Sequence, residues 1–244
     1  MPDLLAIADR VAGWAADGEQ VEAVVAHDRE VEVRSYEGQV ESLTAAESQG
    51  LGVRVVRDGR QGFAYAGTLD EKVLVEVLAE ARDNTAFATP DDYAGLATPD
   101  SVPVQNLDLF RAELVDHPMD EKIAMALELE RLTAQADPRI SGVESAEYSD
   151  VVSETAVVTN TGIRTTTQET GCCLMVSVLA EDFGETQTGF GFSLGRQPNE
   201  LDIERAASDA ATRATRMLGS VKPRSERLTV VLDPWVCAQF LGIV

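Results

Sequence analysis

Two stretches of the chain alternate apolar and polar residues, carry glycines at turn positions, and are each followed by an amphipathic segment. The first covers residues 20–66, with Asp58-Gly59 between two strand-like runs, and the second covers residues 141–194. Asp-Gly between alternating runs is a strong hairpin signal, and alternation with a period of two is typical of strands. The sequence therefore predicts an α+β fold of two units, each an antiparallel meander followed by a helix. The likeness reflects either a duplicated unit or the glycines that hairpins require.

Helical spacing of apolar residues predicts four helices and sets the boundaries of the two units. About four strands are expected in the first meander, and strand-like runs in the second lie at 141–149, 151–159, 162–169, 172–181 and 187–194. A proline-rich polar stretch separates the units. We expect helices over residues 4–17, about 68–81, 119–136 and 200–218, and we divide the chain into residues 1–88, a connector at 89–118, residues 119–222, and residues 226–244.

The last residues read as the start of another domain. Residues 228–232 have the pattern of a buried strand, and residues 236–244 begin an apolar helix. Few chains finish inside an apolar helix without a polar end. We therefore expect that the natural protein continues and that this chain is a fragment with a truncated C-terminal domain.

Candidate core and backbone positions follow from the same patterns. The expected core comprises Val53, Val55, Phe63, Leu74, Leu78, Leu127, Val176, Val178, Phe190 and Val231. Six glycines are interpreted as structural positions that serve turns or close strand approach. They are Gly38, Gly50, Gly52, Gly59, Gly62 and Gly171.

The charge of the chain excludes several partners. Asp and Glu number 42 against 20 Lys and Arg, a formal charge of −22. Such a chain repels phosphate backbones and anionic lipid, so neither nucleic acid nor a membrane is an expected partner. The N-terminus lacks the pattern of a signal peptide, and three cysteines form no disulfide framework. These features predict a cytoplasmic protein.

The sequence carries no self-sufficient active site. Its two histidines, His27 and His117, stand alone, without the spacing of a zinc site. Neither a Gly-x-Ser-x-Gly elbow nor a phosphate-binding loop occurs. Gly50-Leu51-Gly52 leads into a strand rather than a helix, which removes the reason for a dinucleotide to bind there. We therefore assign no catalytic residue and no metal ligand, and expect a subunit, a domain or a binding module.

The order of several motifs resembles the TldD/PmbA proteins, the gyrase-modulator family of metallopeptidases. The motifs that carry the resemblance are Glu37-Gly38-x-Val40-Glu41-Ser42, the Glu47 to Val55 segment, Asp58-Gly59-Arg60-Gln61-Gly62-Phe63-Ala64, Asn160-Thr161-Gly162 with Glu169-x-Gly171, and Val230-Val231-Leu232-Asp233-Pro234. Residues 1–88 and 119–222 are thus similar to the family's N-terminal and central domains, and residues 226–244 to the entry of its C-terminal domain.

The resemblance also indicates a branch of the family. The TldD branch carries His-Glu-x-x-x-His after a Val-x-Leu-x-Pro segment, whereas this chain has Gly242-Ile243 at about that place. The resemblance therefore implies a PmbA/TldE-like subunit that lacks the zinc site, pairs with a TldD-like zinc subunit, and acts on unfolded or small peptides. On this reading the cofactor, zinc, belongs to the partner.

Two other functions remain open. One is a non-proteolytic interaction module linked to gyrase or toxin–antitoxin control. The other is a zinc-active peptidase whose ligands lie beyond residue 244.

Overall fold

The fold consists of helices packed on a sheet of long strands. The computed structural model describes residues 3–103 and 105–243. Its helices are α1 (Leu4–Ala12), α2 (Glu71–Thr85), α3 (Ala112–Val115), α4 (Met119–Gln135), α5 (Ile203–Thr215) and α6 (Pro234–Leu241). Its strands are β1 (Gln20–Tyr36), β2 (Gln39–Arg57), β3 (Arg60–Ala66), β4 (Ile140–Thr159), β5 (Arg164–Asp182) and β6 (Glu185–Gly195).

All six strands form one antiparallel sheet in the order β3-β2-β1-β4-β5-β6. Each unit supplies a three-stranded meander, and the two meanders join where β1 pairs with β4. Each meander is preceded by one helix and followed by another, so the two units have the same element order. The predicted α+β fold of meander–helix units is confirmed.

Four helices cover one face of the sheet. Val25 lies opposite Leu51 on one side and Ala156 on the other, and all three are buried toward the helices. Alternation along each strand places the next residue on the opposite face. The apolar side chains form two separate cores, one beneath α1 and α2 and one beneath α4 and α5. None of the helices described is long and apolar enough to cross a membrane.

The meanders contain fewer and longer strands than predicted. Three strands replace the four expected in the first unit, and three replace the five runs expected in the second. Polar and glycine positions suggested breaks near Asp150 and Gly171. The ladder passes through both without interruption, because Asp150 pairs with Cys172 and Val151 pairs with Gly171. A polar residue does not end a strand whose neighbour continues.

The strand predicted at residues 228–232 is absent from the structure. This stretch has no regular secondary structure, and Val231 is 91% exposed rather than part of the core. A strand needs a neighbour to satisfy its backbone groups. No described residue pairs with this segment. The helix expected after it is present as α6.

Three further core predictions need correction. Phe63 is 54% exposed, and Leu127 and Phe190 are only partly buried. In β3 the positions that face α2 belong to Gly62 and Ala64, so Phe63 falls on the other face of the sheet. Phe190 lies on that face for the same reason. In α4, other side chains close to Leu127 in the sequence face the core, and Leu127 itself does not. The remaining predicted core residues are buried, namely Val53, Val55, Leu74, Leu78, Val176 and Val178.

Candidate functional site: an open sheet face and an unpaired strand edge

Two of the six singled-out glycines lie in tight hairpin turns. Gly38 follows Glu37 between β1 and β2, and Gly59 follows Asp58 between β2 and β3. The φ angles of Gly38 and Gly59 are +73° and +70°, and those of Glu37 and Asp58 are also positive. Two consecutive positive φ angles define the turn that suits the twist of a hairpin. These glycines therefore serve the fold rather than a ligand.

Two others allow close approach of neighbouring backbone. A Cβ on Gly62 would lie 2.0 Å from the carbonyl oxygen of Ala81 in α2, and one on Gly50 would lie 2.8 Å from that of Ala66. Both distances are shorter than atoms tolerate, so α2 packs on β3 only because residue 62 has no side chain. The two remaining positions are less crowded, since an added Cβ would meet its nearest neighbour at 3.4 Å or more at Gly52 and Gly171.

The second unit uses glycine in the same way, at positions that the sequence analysis missed. A Cβ on Gly191 would lie 1.9 Å from the carbonyl oxygen of Ala206 in α5, and one on Gly189 would lie 2.4 Å from that of Ala210. The available signal was the alternation of two glycines in β6 together with the alanine-rich face of α5. Both features indicate a helix packed unusually close to a sheet.

The described residues offer no metal centre. Within residues 3–103 and 105–243, no three His, Cys, Asp or Glu side chains come together to hold an ion. Nε2 of His27 lies 2.6 Å from Oε1 of Glu47 in β2, and His117 is 3.5 Å from Glu121. Burial, with the nearby charge of Asp150, raises the pKa of the Cys172 thiol to about 12, so this cysteine is not an activated nucleophile. These side chains do not fit a zinc ion.

A buried polar cluster adjoins the apolar core beneath α4 and α5, to which Tyr148 itself belongs. Oδ2 of Asp150 is 2.6 Å from Nζ of Lys122 in α4 and accepts a hydrogen bond of 2.8 Å from the hydroxyl of Tyr148. Burial, with the hydrogen bond to Asp150, raises the pKa of Tyr148. A neighbouring cavity of about 290 Å³ is lined by Lys122, Asp150 and Arg29. Because each charge of the Lys122–Asp150 pair is neutralised by the other, the cluster is equipped to hold α4 on the sheet.

The other face of the sheet carries no packed layer of helices. Of the described helices, α6 contacts it through Trp235, which meets β6, and α5 reaches it through Arg213, whose guanidinium lies 4.6 Å from the ring centroid of Phe190. Two aromatic pairs point to this face, Phe63 with Tyr65 on β3 and Phe190 with Phe192 on β6. An uncovered sheet face that carries aromatic side chains is a surface available to a polypeptide.

This surface is bordered by a strand edge without a neighbour. Residues 51–56 of β2 pair with both β1 and β3, whereas the segment 39–50 pairs with β1 alone. Residues 39–49 are all exposed. In the part of the chain that the structure describes, nothing bonds to the outer backbone groups of this segment. We call residues 39–50 the free edge of β2.

The direction of the backbone groups at the free edge follows from Val21 in β1. Its amide donates to Oδ1 of Asn160 at 2.8 Å, and its carbonyl accepts from the Asn160 amide at 3.1 Å. Val21 thus directs both groups toward β4. Successive residues of a strand direct these groups to opposite sides, so Glu30 bonds toward β2, where it pairs with Ala46. The amide of Ala45 therefore points outward, away from β1.

The corresponding edge in the second unit already receives an extended segment. Residues 164–171 of β5 extend beyond the pairing with β6. There the Thr170 amide donates to the carbonyl of Leu109 at 3.0 Å, and the Arg111 amide donates to the Thr170 hydroxyl at 3.0 Å. The connector thus meets β5 through one backbone hydrogen bond and one bond to a side chain.

Comparison with known proteins identifies both units. Residues 21–85 match the PmbA/TldA metallopeptidase domain 1, and residues 113–218 match the PmbA/TldA metallopeptidase central domain. The chain is 24% identical over 245 residues to metalloprotease PmbA of Escherichia coli, covering 99% of this chain and 54% of that protein. It is 27% identical over 195 residues to the metalloprotease PmbA homolog of Buchnera aphidicola, covering 74% and 41%.

Solved structures share the fold. A protein of Bacteroides thetaiotaomicron described as a modulator of DNA gyrase matches with a TM-score of 0.80 and 22% identity, over 98% of this chain and 55% of that chain. TldE of Thermococcus kodakarensis matches with a TM-score of 0.69 and 16% identity, over 86% and 46%. The chain spans about half the length of the relatives it matches. Because the two domain matches account for more than two thirds of the chain, the protein belongs to the PmbA/TldD metallopeptidase family.

Proposed function

We propose that this protein is the PmbA/TldE-like subunit of a heteromeric TldD/TldE-type zinc metallopeptidase that acts on unfolded or small peptides in the cytoplasm. The names of its PmbA relatives and the shared fold of TldE support this branch. We assign zinc to a TldD-like partner because, by the resemblance, Gly242 and Ile243 lie at about the place of the His-Glu motif of the zinc branch. When bound, zinc would activate water and polarise the scissile carbonyl. This subunit would hold the peptide.

The free edge of β2 is the main structural support for the peptide-binding role. A peptide binds such an edge by adding a strand, with its backbone bonding to the outward amides and carbonyls. This recognition requires an extended, unfolded substrate and depends little on the amino-acid sequence of that substrate. Natural proteins usually protect an exposed edge with Lys, Pro or a covering segment. Residues 39–50 contain neither Lys nor Pro, so the edge remains open to pairing.

Charge favours basic substrates at the same place. The free edge carries Glu41 and Glu47 and no basic residue, and the chain as a whole has a formal charge of −22. An acidic surface raises the local concentration of cationic peptides, and salt weakens this attraction. We therefore expect lysine-containing peptides to bind faster than acidic peptides of equal length at low ionic strength.

A proline at position 45 tests the strand-addition role. Because the Ala45 amide points away from β1, Ala45→Pro removes an outward donor and leaves the β1–β2 ladder in place. We expect the full-length variant to bind a fluorescein-labelled, lysine-containing unstructured peptide about tenfold more weakly than the natural protein, by fluorescence anisotropy. Ala45→Val is the matched control, since it retains the amide and favours a strand.

The outcome separates strand addition from other modes of binding. Equal affinity of the Ala45→Pro and Ala45→Val variants would show that the free edge of β2 does not hold the peptide. Circular dichroism of both variants checks that the sheet is intact.

A further inference from the structure

The two outer strands carry matching aromatic pairs on the open face. The rings of Phe63 and Tyr65 on β3 are stacked with centroids 6.2 Å apart, and those of Phe190 and Phe192 on β6 are stacked at 6.4 Å. The opposite face of each strand carries the small residues on which a helix packs. The pairs therefore occupy equivalent places in the two units.

Only the pair on β6 is covered. The ring of Trp235 in α6 lies 4.9 Å from that of Phe192 and 5.6 Å from that of Phe190, at angles typical of favourable aromatic contacts. On β3, by contrast, Phe63 is 54% exposed and Tyr65 is 77% exposed. The covered pair accepts a large aromatic side chain from another segment of polypeptide, and the guanidinium of Arg213 in α5 also lies over it, 4.6 Å from the ring centroid of Phe190.

The pair on β3 borders a groove beside β2, and Phe192 of the pair on β6 borders a cavity of about 850 Å³ that Trp235 also lines. The groove has a volume of about 510 Å³ and is lined by Val24, Ala26, Gly50, Gly52, Phe63 and Tyr65, among others. Gly52 is the strand partner of Tyr65, whereas the partner of Phe192 on β5 is Met175. The absent side chain at Gly52 leaves a recess beside the aromatic wall. This recess is apolar and open to solvent.

The groove adjoins the free edge of β2. The pairing of β2 with β3 ends at Leu51 and Ala66, and the free edge begins at the next residue, Gly50. Gly50, Ser48 and Gly67 line the groove at this junction. A peptide strand on the free edge would continue the line of β3, with alternate side chains on the open face. A side chain opposite Ser48 would lie next to the groove.

We infer that the groove between β2 and β3 is a specificity site that binds an aromatic side chain of the peptide held at the free edge. This inference rests on the proposed function. It gives the subunit a preference for chains that expose aromatic residues, which unfolded polypeptides do more than folded proteins.

The test compares two labelled peptides that differ only at one central residue, Trp or Ala, in an unstructured Lys/Thr/Ser background. The full-length protein is expected to bind the Trp peptide about tenfold more tightly. Tyr65→Thr, which keeps a strand-forming residue, is expected to abolish most of this preference by weakening the Trp peptide more than the Ala peptide. Tyr93→Thr is the matched control, since Tyr93 is 95% exposed and lies outside the groove.

Ala45→Pro in the same assay separates this inference from the proposed function. If it weakens both peptides but the natural protein shows no preference for Trp, the groove inference is overturned and strand addition stands. If it weakens neither peptide but Tyr65→Thr abolishes the preference, the groove binds an aromatic side chain of a peptide that is held elsewhere, and strand addition is overturned. An unchanged preference in Tyr65→Thr overturns the groove inference, and failure of both peptides to bind the natural protein overturns both ideas.

Discussion

Nζ of Lys122 in α4 lies 2.6 Å from Oδ2 of Asp150 in β4, and both side chains are more than nine-tenths buried. The pair adjoins the apolar core beneath α4 and α5, which includes Tyr148 and Cys172, and it connects α4 to β4. The hydroxyl of Tyr148 donates to the same carboxylate oxygen. The Asp150 carboxylate thus has two partners. Because it is buried and charged, removing the Lys122 ammonium should cost much of the protein's stability.

Removing one member of this pair should strongly destabilise the protein. Lys122→Met retains the length of the side chain but leaves the Asp150 carboxylate buried and uncompensated. The expected loss in the free energy of unfolding is about 3–5 kcal/mol, measured by urea denaturation at pH 7.

An exposed ion pair in the same helix provides the control. Arg131 and Glu128 lie 2.6 Å apart in α4 with about half of each side chain exposed, so Arg131→Met should cost less than about 1 kcal/mol. Equal losses for the two variants would contradict the role assigned to Lys122.

The stability of the first unit should depend on the charge of Glu19. Burial tends to raise the pKa of Glu19, but hydrogen bonds from Arg82 and the Ala16 amide, with the charges of Arg82 and Arg57, lower it below 4.5. A lowered pKa contributes stability above the pKa of the unfolded chain and loses it as the pH falls through the folded value. Glu19→Gln should therefore cost about 1.5–3 kcal/mol near pH 7.

The pH profile is the decisive measurement for Glu19. The difference in unfolding free energy between the natural protein and Glu19→Gln should shrink progressively below about pH 4.5. A difference that stays constant from pH 7 to pH 3 would show that the carboxylate charge does not stabilise the fold.

The close packing of α2 on β3 predicts a steep penalty at Gly62. Gly62→Ala places a Cβ 2.0 Å from the carbonyl oxygen of Ala81, so α2 must move away from the sheet. We expect a loss of about 1–3 kcal/mol in the free energy of unfolding. Gly52→Ala on the neighbouring strand is the control. Its nearest contact would be 3.4 Å from the ring of Phe63, so it should be nearly neutral, and a loss as large as that of Gly62→Ala would refute the packing argument.

Much of the fold could be predicted from the sequence because its hairpins and helices are encoded by short stretches of neighbouring residues. Asp58-Gly59 determined a hairpin, and helical spacing located the four long helices. The residues that the prediction misplaced depend on which strand face meets a helix. The alternation in β3 is compatible with a buried Phe63, but α2 packs on Gly62 and Ala64, so Phe63 lies on the opposite face. Strand alternation alone does not say which of two faces is covered.

The candidate site was harder to predict because it depends on which strands remain unpaired. The sequence of residues 39–50 has the pattern of an ordinary hairpin strand. Only the strand register shows that β3 ends at Ala66 and leaves these residues unpaired on one side. Lys122 gave no signal either, since a lysine near the start of a helix usually lies in solvent. Burial of that lysine follows from the placement of α4 over Asp150, which is a long-range feature.

The division of roles between the two subunits is tested by the zinc content and azocasein cleavage of the full-length protein, alone and co-expressed with the zinc-bearing homologue of the same genome. We expect no cleavage by this protein alone, cleavage by the mixture, and zinc that copurifies with the partner. Zinc and cleavage with this protein alone would contradict this division and place the metal ligands in this subunit.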